Sequence, residues 1–352
     1  MHIPDGYLSL TTCAVTYAIT LPFWYVAFQR VKRLLHTRMV PLLAVFSAFS
    51  FVIMMFNLPL PGGTTGHAVG VAVAAIVLGP WASMVAISIA LLIQAVFFGD
   101  GGITTFGANC LNMAVVGSLA AYWTYTLIVG KSALDSSRRV VAAAISGYVA
   151  INLAALLTAI EFGVQPMLFH DASGTPLYAP YPLAIAIPAM MIGHLSIAGF
   201  AELAISGGLI AYLQRSNPDL LTVSVSSSSA TGTWKSTRVL WYGLAGLMIA
   251  SPIGLLAAGT AWGEWGVEDF ANAESRQEIL RASGDMVPPD FAPSGLERLA
   301  SVWAAPIPDY VPGFLQNVHA GYVVSAVMGA GLILLLVLLL AKSVGRNESA
   351  EF

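Results

Sequence analysis

Nine apolar runs, parted by more polar stretches, decide what this chain can fold into. They cover approximately residues 8–29, 39–57, 66–79, 81–98, 108–130, 139–162, 182–214, 239–261 and 319–341. Only 9% of the 352 residues are charged and 57% are hydrophobic, against about 25% charged in soluble domains. A bilayer core of about 30 Å asks for about 20 apolar helical residues per crossing. Backbone groups in lipid must be satisfied within the segment. The expected fold class is therefore an all-α integral membrane protein, with a seven-helix bundle followed by a two-span unit. The third run is short and abuts the fourth at Gly79-Pro80, so it is expected to dip in beside a loop that lines a cavity.

Charge gives the expected orientation. With the N-terminus outside, cytoplasmic turns collect Arg30, Lys32, Arg33 and Arg38, then Lys131, Arg138 and Arg139, then Arg215, Lys235 and Arg238, then Lys342 and Arg346. These are twelve of the fifteen basic residues. Arg276, Arg281 and Arg298 sit in one long outer loop, and long translocated loops are largely exempt from the positive-inside rule. The C-terminus is then cytoplasmic, and the chain is multi-pass in the cell membrane. No basic n-region precedes the first run, so Met1 is expected to be retained with a free amine rather than cleaved off with a signal peptide.

Three regions are expected: a seven-span unit at 1–215, a Ser-rich cytoplasmic linker at 216–237, and a two-span unit at 238–352 whose acidic outer loop is 262–318. That loop carries Glu264, Glu268, Asp269, Glu274, Glu278 and Asp285. The net charge of −3 gives no reason to expect nucleic acid, and the bilayer is the expected environment. Cys13 and Cys110 lie in apolar runs without CxxC spacing and read as buried packing.

The chemistry concentrates at the tip. Met1-His2-Ile3-Pro4-Asp5-Gly6 offers an α-amine, the His2 amide and the His2 imidazole to one ion. Two fused chelate rings in one plane suit Ni(II) or Cu(II), which can displace an amide proton; Mg²⁺ and Ca²⁺ prefer oxygen. His67 is the candidate for the open fourth corner. It ends Pro59-Leu60-Pro61-Gly62-Gly63-Thr64-Thr65-Gly66-His67, on the same expected side as Met1. Asp100 and Asn109, in the glycine-rich stretch 98–109, are candidates for a cover or for supporting the ligands, as are Thr64 and Thr65.

The other histidines rank lower. His36 reads as a headgroup-facing residue, and His170 as a weak metal collector beside Asp171. His194, His319 and Glu202, in or at membrane segments, read as interhelical hydrogen-bonding groups. No HExxH pair occurs, and Gly130-Lys131-Ser132 lacks the upstream glycine of a phosphate-binding loop. The chain is thus expected to be neither an enzyme nor an ATPase, so uphill transport needs a separate motor. An intramembrane metalloenzyme and a passive metal channel stand as readings of other classes.

Met1 to Leu8, Pro61-Gly62-Gly63-Thr64-Thr65-Gly66-His67-Ala68-Val69-Gly70, Gly99-Asp100-Gly101-Gly102 and Phe106-Gly107-Ala108-Asn109 resemble the substrate-binding component of nickel/cobalt energy-coupling-factor transporters. The resemblance covers roughly residues 1–215. It implies metal ligation by the Met1 amine, the His2 amide and imidazole, and His67. It also implies an outer covering loop, and partners comprising a transmembrane coupling protein and two ATP-binding subunits. The metal is then transported substrate, not a cofactor. Cobalt members usually begin Met-His-Ile-Met-Glu-Gly; Pro4-Asp5 here resembles the nickel members, with Co²⁺ as the alternative. The second unit resembles the small PDGLE-type accessory component, written here Pro293-Ser294-Gly295-Leu296-Glu297. Its resemblance implies help in metal loading or gating, and serine replaces the usual aspartate at 294.

Overall fold

In the computed structural model, which describes residues 1–32, 39–222 and 234–348, every apolar run is a helix. These are α1 (Leu10–Lys32), α2 (Met39–Met54), α3 (Val71–Leu78) and α4 (Pro80–Ile93), with α4 running on through a π-helical turn, Gln94–Phe98. α5 (Phe106–Asn109) and α6 (Gly117–Val129) are joined by the π segment Cys110–Val116, and α7 is Ser137–Leu168. α8 (Leu183–Gly193) and α9 (Gly199–Ser216) are likewise joined by His194–Ala198. α10 (Trp234–Ala250) ends in a 3₁₀ turn, Ser251–Leu256. The short helices α11 (Ala273–Ala282) and α12 (Ser294–Leu299) precede the long α13 (Val318–Glu348). Among the described residues seven helical stretches are long and apolar enough to cross a membrane, with Met39–Met54 a shorter apolar helix.

Side-chain placement is that of a membrane protein. α1 buries Cys13, Thr16, Thr20, Ala27 and Val31, small residues at one-turn and two-turn spacings that let backbones approach. Its other side exposes Leu10, Val15, Ile19, Leu21, Tyr25 and Phe28, apolar surface that water would not tolerate in one stripe. The third run is confirmed as short: α3 has eight residues, and all are buried. α13 packs on α2 and α4, and α10 packs on α2, so the last two long helices lie against the earlier ones.

The region just before α3 departs from expectation. Residues 58–66 form a small antiparallel hairpin, β1 (Leu58–Leu60) and β2 (Thr64–Gly66), with Leu58 opposite Gly66 and Leu60 opposite Thr64. Pairing satisfies main-chain groups that a bare loop would leave open next to apolar helices. Both cysteines are buried and free. Arg33, His36, Arg38 and residues 223–233 of the Ser-rich stretch lie outside the described residues.

Candidate metal centre

The first six residues are drawn into the protein rather than left as a tail. Met1 and His2 are buried and Ile3 is inaccessible. Ile3 is gripped like a paired strand residue. Its N–H donates to Asn109 Oδ1 at 2.8 Å, and its carbonyl accepts from Asn109 Nδ2 at 3.1 Å and from the Gly102 N–H at 2.9 Å. The Asp5 carboxylate then accepts the Ile103 N–H at 3.0 Å and the Thr104 N–H at 2.7 Å, together with the Thr104 hydroxyl. Gly102 leaves no room for a Cβ, which would overlap Asp5. Gly6, at φ +90°, is equally constrained: a Cβ there would lie 2.6 Å from the Leu296 Cα, on α12. Asn109 thus anchors the tip through both main-chain groups of Ile3.

His2 and His67 meet across a cavity of about 260 Å³ lined also by Asp100, Gly101, Thr65, Glu264, Asp309 and Tyr310. Their ring centres are 4.9 Å apart and tilted by 46°. With metal–nitrogen bonds of about 2.1 Å, two imidazoles at adjacent corners of a square bring their ring centres to about 4.5 Å. The observed spacing therefore fits one shared ion. His67 Nδ1 lies 3.1 Å from the Ala68 carbonyl. A carbonyl only accepts, so Nδ1 holds the proton and Nε2 has the free lone pair. Burial, then the neighbouring His2 and the N-terminal amine, push the His67 pKa well below its ordinary value, so the ring is neutral and able to ligate.

His2 is arranged differently. Its Nδ1, the only ring nitrogen able to close a chelate ring with its own amide nitrogen, faces the Asp100 carboxylate. Its Nε2 is buried with no partner. An ion chelated through Nδ1 would take the place that Asp100 Oδ1 holds here. Burial raises the Asp100 pKa, but the adjacent His2 outweighs it and holds this carboxyl well below the usual carboxylate range. Asp100 reaches this position because the π turn at the end of α4 terminates in the left-handed Gly99, at φ +71°. π segments of this kind occur often at functional sites.

Two site residues come from the accessory region, and sequence reasoning did not single them out as site residues. Glu264 Oε1 accepts a hydrogen bond from the Met1 ammonium at 3.0 Å. The Tyr310 hydroxyl donates to Asp100 and accepts from Gln94 Nε2 at 2.9 Å. Asp309 and Tyr310 both hold positive φ, +54° and +61°, a conformation that costs of order 1–3 kcal/mol per residue. The Ser325 hydroxyl, donating to the Tyr310 carbonyl at 2.8 Å, helps hold that turn. Burial, then the Asp100 charge, raises the Tyr310 phenol well above its ordinary value, so it remains a donor. The advance signals were the acidic character of the outer loop, which includes Glu264, and the Pro308-Asp309-Tyr310 stretch that follows the PDGLE-like residues.

The remaining candidates are placed as follows. The Thr65 hydroxyl lies 3.5 Å from the Gly259 carbonyl at the cavity wall, while the Thr64 hydroxyl turns back to Pro61 at 3.4 Å. His170 bonds to the adjacent Asp171 carbonyl on an exposed loop. His194 is buried, donates from Nδ1 to the Met190 carbonyl at 2.8 Å, and lines a small void with Met1. Glu202 is buried beneath the His67 loop. Among the described residues no group of three or more His, Cys, Asp or Glu side chains is arranged to hold a metal.

Residues 2–220, more than half of the chain, match the family model described as "Cobalt uptake substrate-specific transmembrane region". The chain belongs to this family. Residues 236–346 match the PDGLE domain, so this family member carries the two units in one polypeptide. The fused nickel transport protein NikMN of Rhodobacter capsulatus is 57% identical over 333 residues, 95% of each chain. The probable fused nickel transport protein LarMN of Lactiplantibacillus plantarum is 40% identical over 96% of each chain. The cobalt transport protein CbiM of Geobacter sulfurreducens is 33% identical over 72% of each. A crystal structure of a truncated transition metal transporter, 51% identical, superposes with a TM-score of 0.57 over 60% of this chain and 98% of that one. As a member of the family, the chain is a multi-pass transport component rather than an enzyme.

Proposed function

We propose that this protein captures Ni²⁺ outside the cell membrane and delivers it inward as the substrate-specific subunit of an ATP-driven uptake system. The ligands are the Met1 amine, the His2 amide and Nδ1, and His67 Nε2, with the metal as transported substrate. The observation that carries the reading is the 4.9 Å approach of the His2 and His67 rings beside the buried amine. Co²⁺ is the alternative cargo, since the same nitrogens can hold it. The near-full-length likeness to fused nickel transport proteins supports nickel, as does Pro4-Asp5.

In this account residues 1–215 form the capture unit. Residues 216–237 are the cytoplasmic linker, and residues 238–352 are the accessory unit, whose outer loop 262–318 covers the site. The N-terminus is outside and the C-terminus cytoplasmic. A transmembrane coupling protein and two ATP-binding subunits supply the energy.

On binding, the amine and the His2 amide would give up protons to solvent, and His2 Nδ1 would lose the proton it directs at Asp100, leaving the ring proton on Nε2, so that Asp100 turns away. Glu264 releases the amine, which carries no positive charge once it ligates. Titrating the purified protein with Ni²⁺ and Co²⁺ tests the assignment. Nickel is expected to bind more tightly, with the ligand-field absorption of a square-planar nitrogen site. Tighter binding of Co²⁺ would reverse the choice of cargo, and octahedral Ni²⁺ would contradict the ligand set.

A further inference from the structure

The carboxylate of Glu202, on α9, is fully buried inside a membrane-spanning helix, a costly place for a charge without partners. It does not touch the cavity between His2 and His67. Its Oε2 accepts two main-chain N–H groups, from Val69 at 2.7 Å and from Gly70 at 2.9 Å, and the Ser206 hydroxyl lies 3.5 Å from Oε1. These N–H groups stand at the start of α3, where the helix dipole favours a negative charge.

The Val69 nitrogen belongs to the same peptide group as the Ala68 carbonyl. That carbonyl is the acceptor for His67 Nδ1. A peptide group is planar, so holding its N–H fixes the direction of its C=O. We propose that Glu202 is a positioning residue for the metal site: acting through the Ala68–Val69 peptide, it sets the ring orientation and tautomer of His67. The assignment rests on the reading of His67 as a ligand.

Three consequences follow from the geometry. Accepting at the N–H end polarises the peptide and makes its carbonyl a better acceptor for Nδ1–H. The proton is then fixed on Nδ1, and Nε2 is left with the free lone pair. Metal-ligating histidines usually have an oxygen acceptor on the second nitrogen; here one peptide group stands between that acceptor and a carboxylate. α9 is packed along α7, and Gly147 on α7 lies against Ser206 and the Glu202 carbonyl. The position of His67 is thereby referred to the rigid α7–α9 pair rather than to its own hairpin.

The test uses the full-length protein in vesicles or detergent, titrated with Ni²⁺ and followed by ligand-field absorption. Glu202→Ala, Glu202→Gln, His67→Ala and the double variant Glu202→Ala/His67→Ala are compared. Glu202→Ala is expected to weaken Ni²⁺ binding by about 10- to 100-fold and to shift the absorption spectrum towards that of His67→Ala. Adding Glu202→Ala to His67→Ala should cost nothing further, because both act through one ligand. Glu202→Gln keeps an oxygen acceptor and should recover most of the affinity.

Glu202→Ala protein that melts earlier but keeps the native affinity and spectrum would overturn the proposal, as would losses that add fully in the double variant. If His67→Ala itself leaves binding unchanged, the ligand reading falls and takes this proposal with it. Loss in His67→Ala with none in Glu202→Ala sinks this proposal alone. Should Glu202→Ala not fold, ¹⁵N resonances of the His67 ring in metal-free Glu202→Gln decide the matter. A shift of those resonances, with the His194 ring unmoved, is expected, and unmoved His67 resonances would overturn it.

Discussion

Residues 1–220 bring the proposed nitrogen ligands, namely the amine, the His2 amide and two imidazoles, together with the Asp100 carboxylate that faces His2. Residues 236–346 bring oxygen, in the Glu264 carboxylate and the Tyr310 phenol. A borderline ion such as Ni²⁺ favours nitrogen, and the oxygen groups it would displace are Glu264, from the amine, and Asp100, from His2, which Tyr310 braces. Glu264 neutralises an ammonium that would otherwise be buried alone. Tyr310 braces the carboxylate that faces the chelating nitrogen of His2. The contrast teaches that the nitrogen side should set how tightly metal is held, and the oxygen side how stable the metal-free site is.

The comparison breaks most directly at its ligands. His67→Ala should cost more than about 100-fold in Ni²⁺ affinity, beyond the 10- to 100-fold typical of groups that only support ligands. Isothermal titration measures it. Smaller losses would move His67 out of the ligand set.

On the oxygen side the effect should fall on stability instead. Glu264→Gln leaves the ammonium without a counter-charge, and the metal-free protein should lose about 1–3 kcal/mol in thermal unfolding. With saturating Ni²⁺ that loss should largely vanish, since the ligating amine is uncharged. An equal loss in both states would reduce Glu264 to a packing contact.

The smallest expected effect is on pH dependence. Burial holds the His67 pKa below its ordinary 6.5. Below that pH the unfolded chain takes up a proton that the folded chain refuses, so stability falls as the solution is acidified. The slope contributed is at most about 1.4 kcal/mol per pH unit. Melting of the metal-free protein between pH 7 and pH 5 should show it, with a shallower fall in His67→Asn. Identical slopes would mean that the ring is already protonated in the folded state.

Much of this was legible beforehand. Long apolar runs have few folds open to them in lipid, so all nine contain helices, although α3 starts five residues later than its run and α10 ends at Ala250 rather than 261; even the brevity of α3 could be read from the run at 66–79. The family motifs marked His2, His67, Asp100 and Asn109. The hairpin at 58–66 was not legible, because three-residue strands are held by their surroundings rather than by propensity. Nor were Glu264 and Tyr310: each acts across more than 200 residues of sequence, on Met1 and on Asp100. Thr64 and Thr65 could not be told apart by residue type; only the turn geometry separates the one bonded to Pro61 from the one at the cavity wall.

The central claim is that the ion is held in fused chelate rings made by the first two residues. Inserting one alanine between Met1 and His2 keeps every side chain and breaks that ring system. Ni²⁺ titration of the purified inserted protein should show at least a 100-fold loss of affinity, by the same reasoning as for a lost ligand, about 2.7 kcal/mol, and no square-planar absorption. Native affinity with the native spectrum would contradict the account.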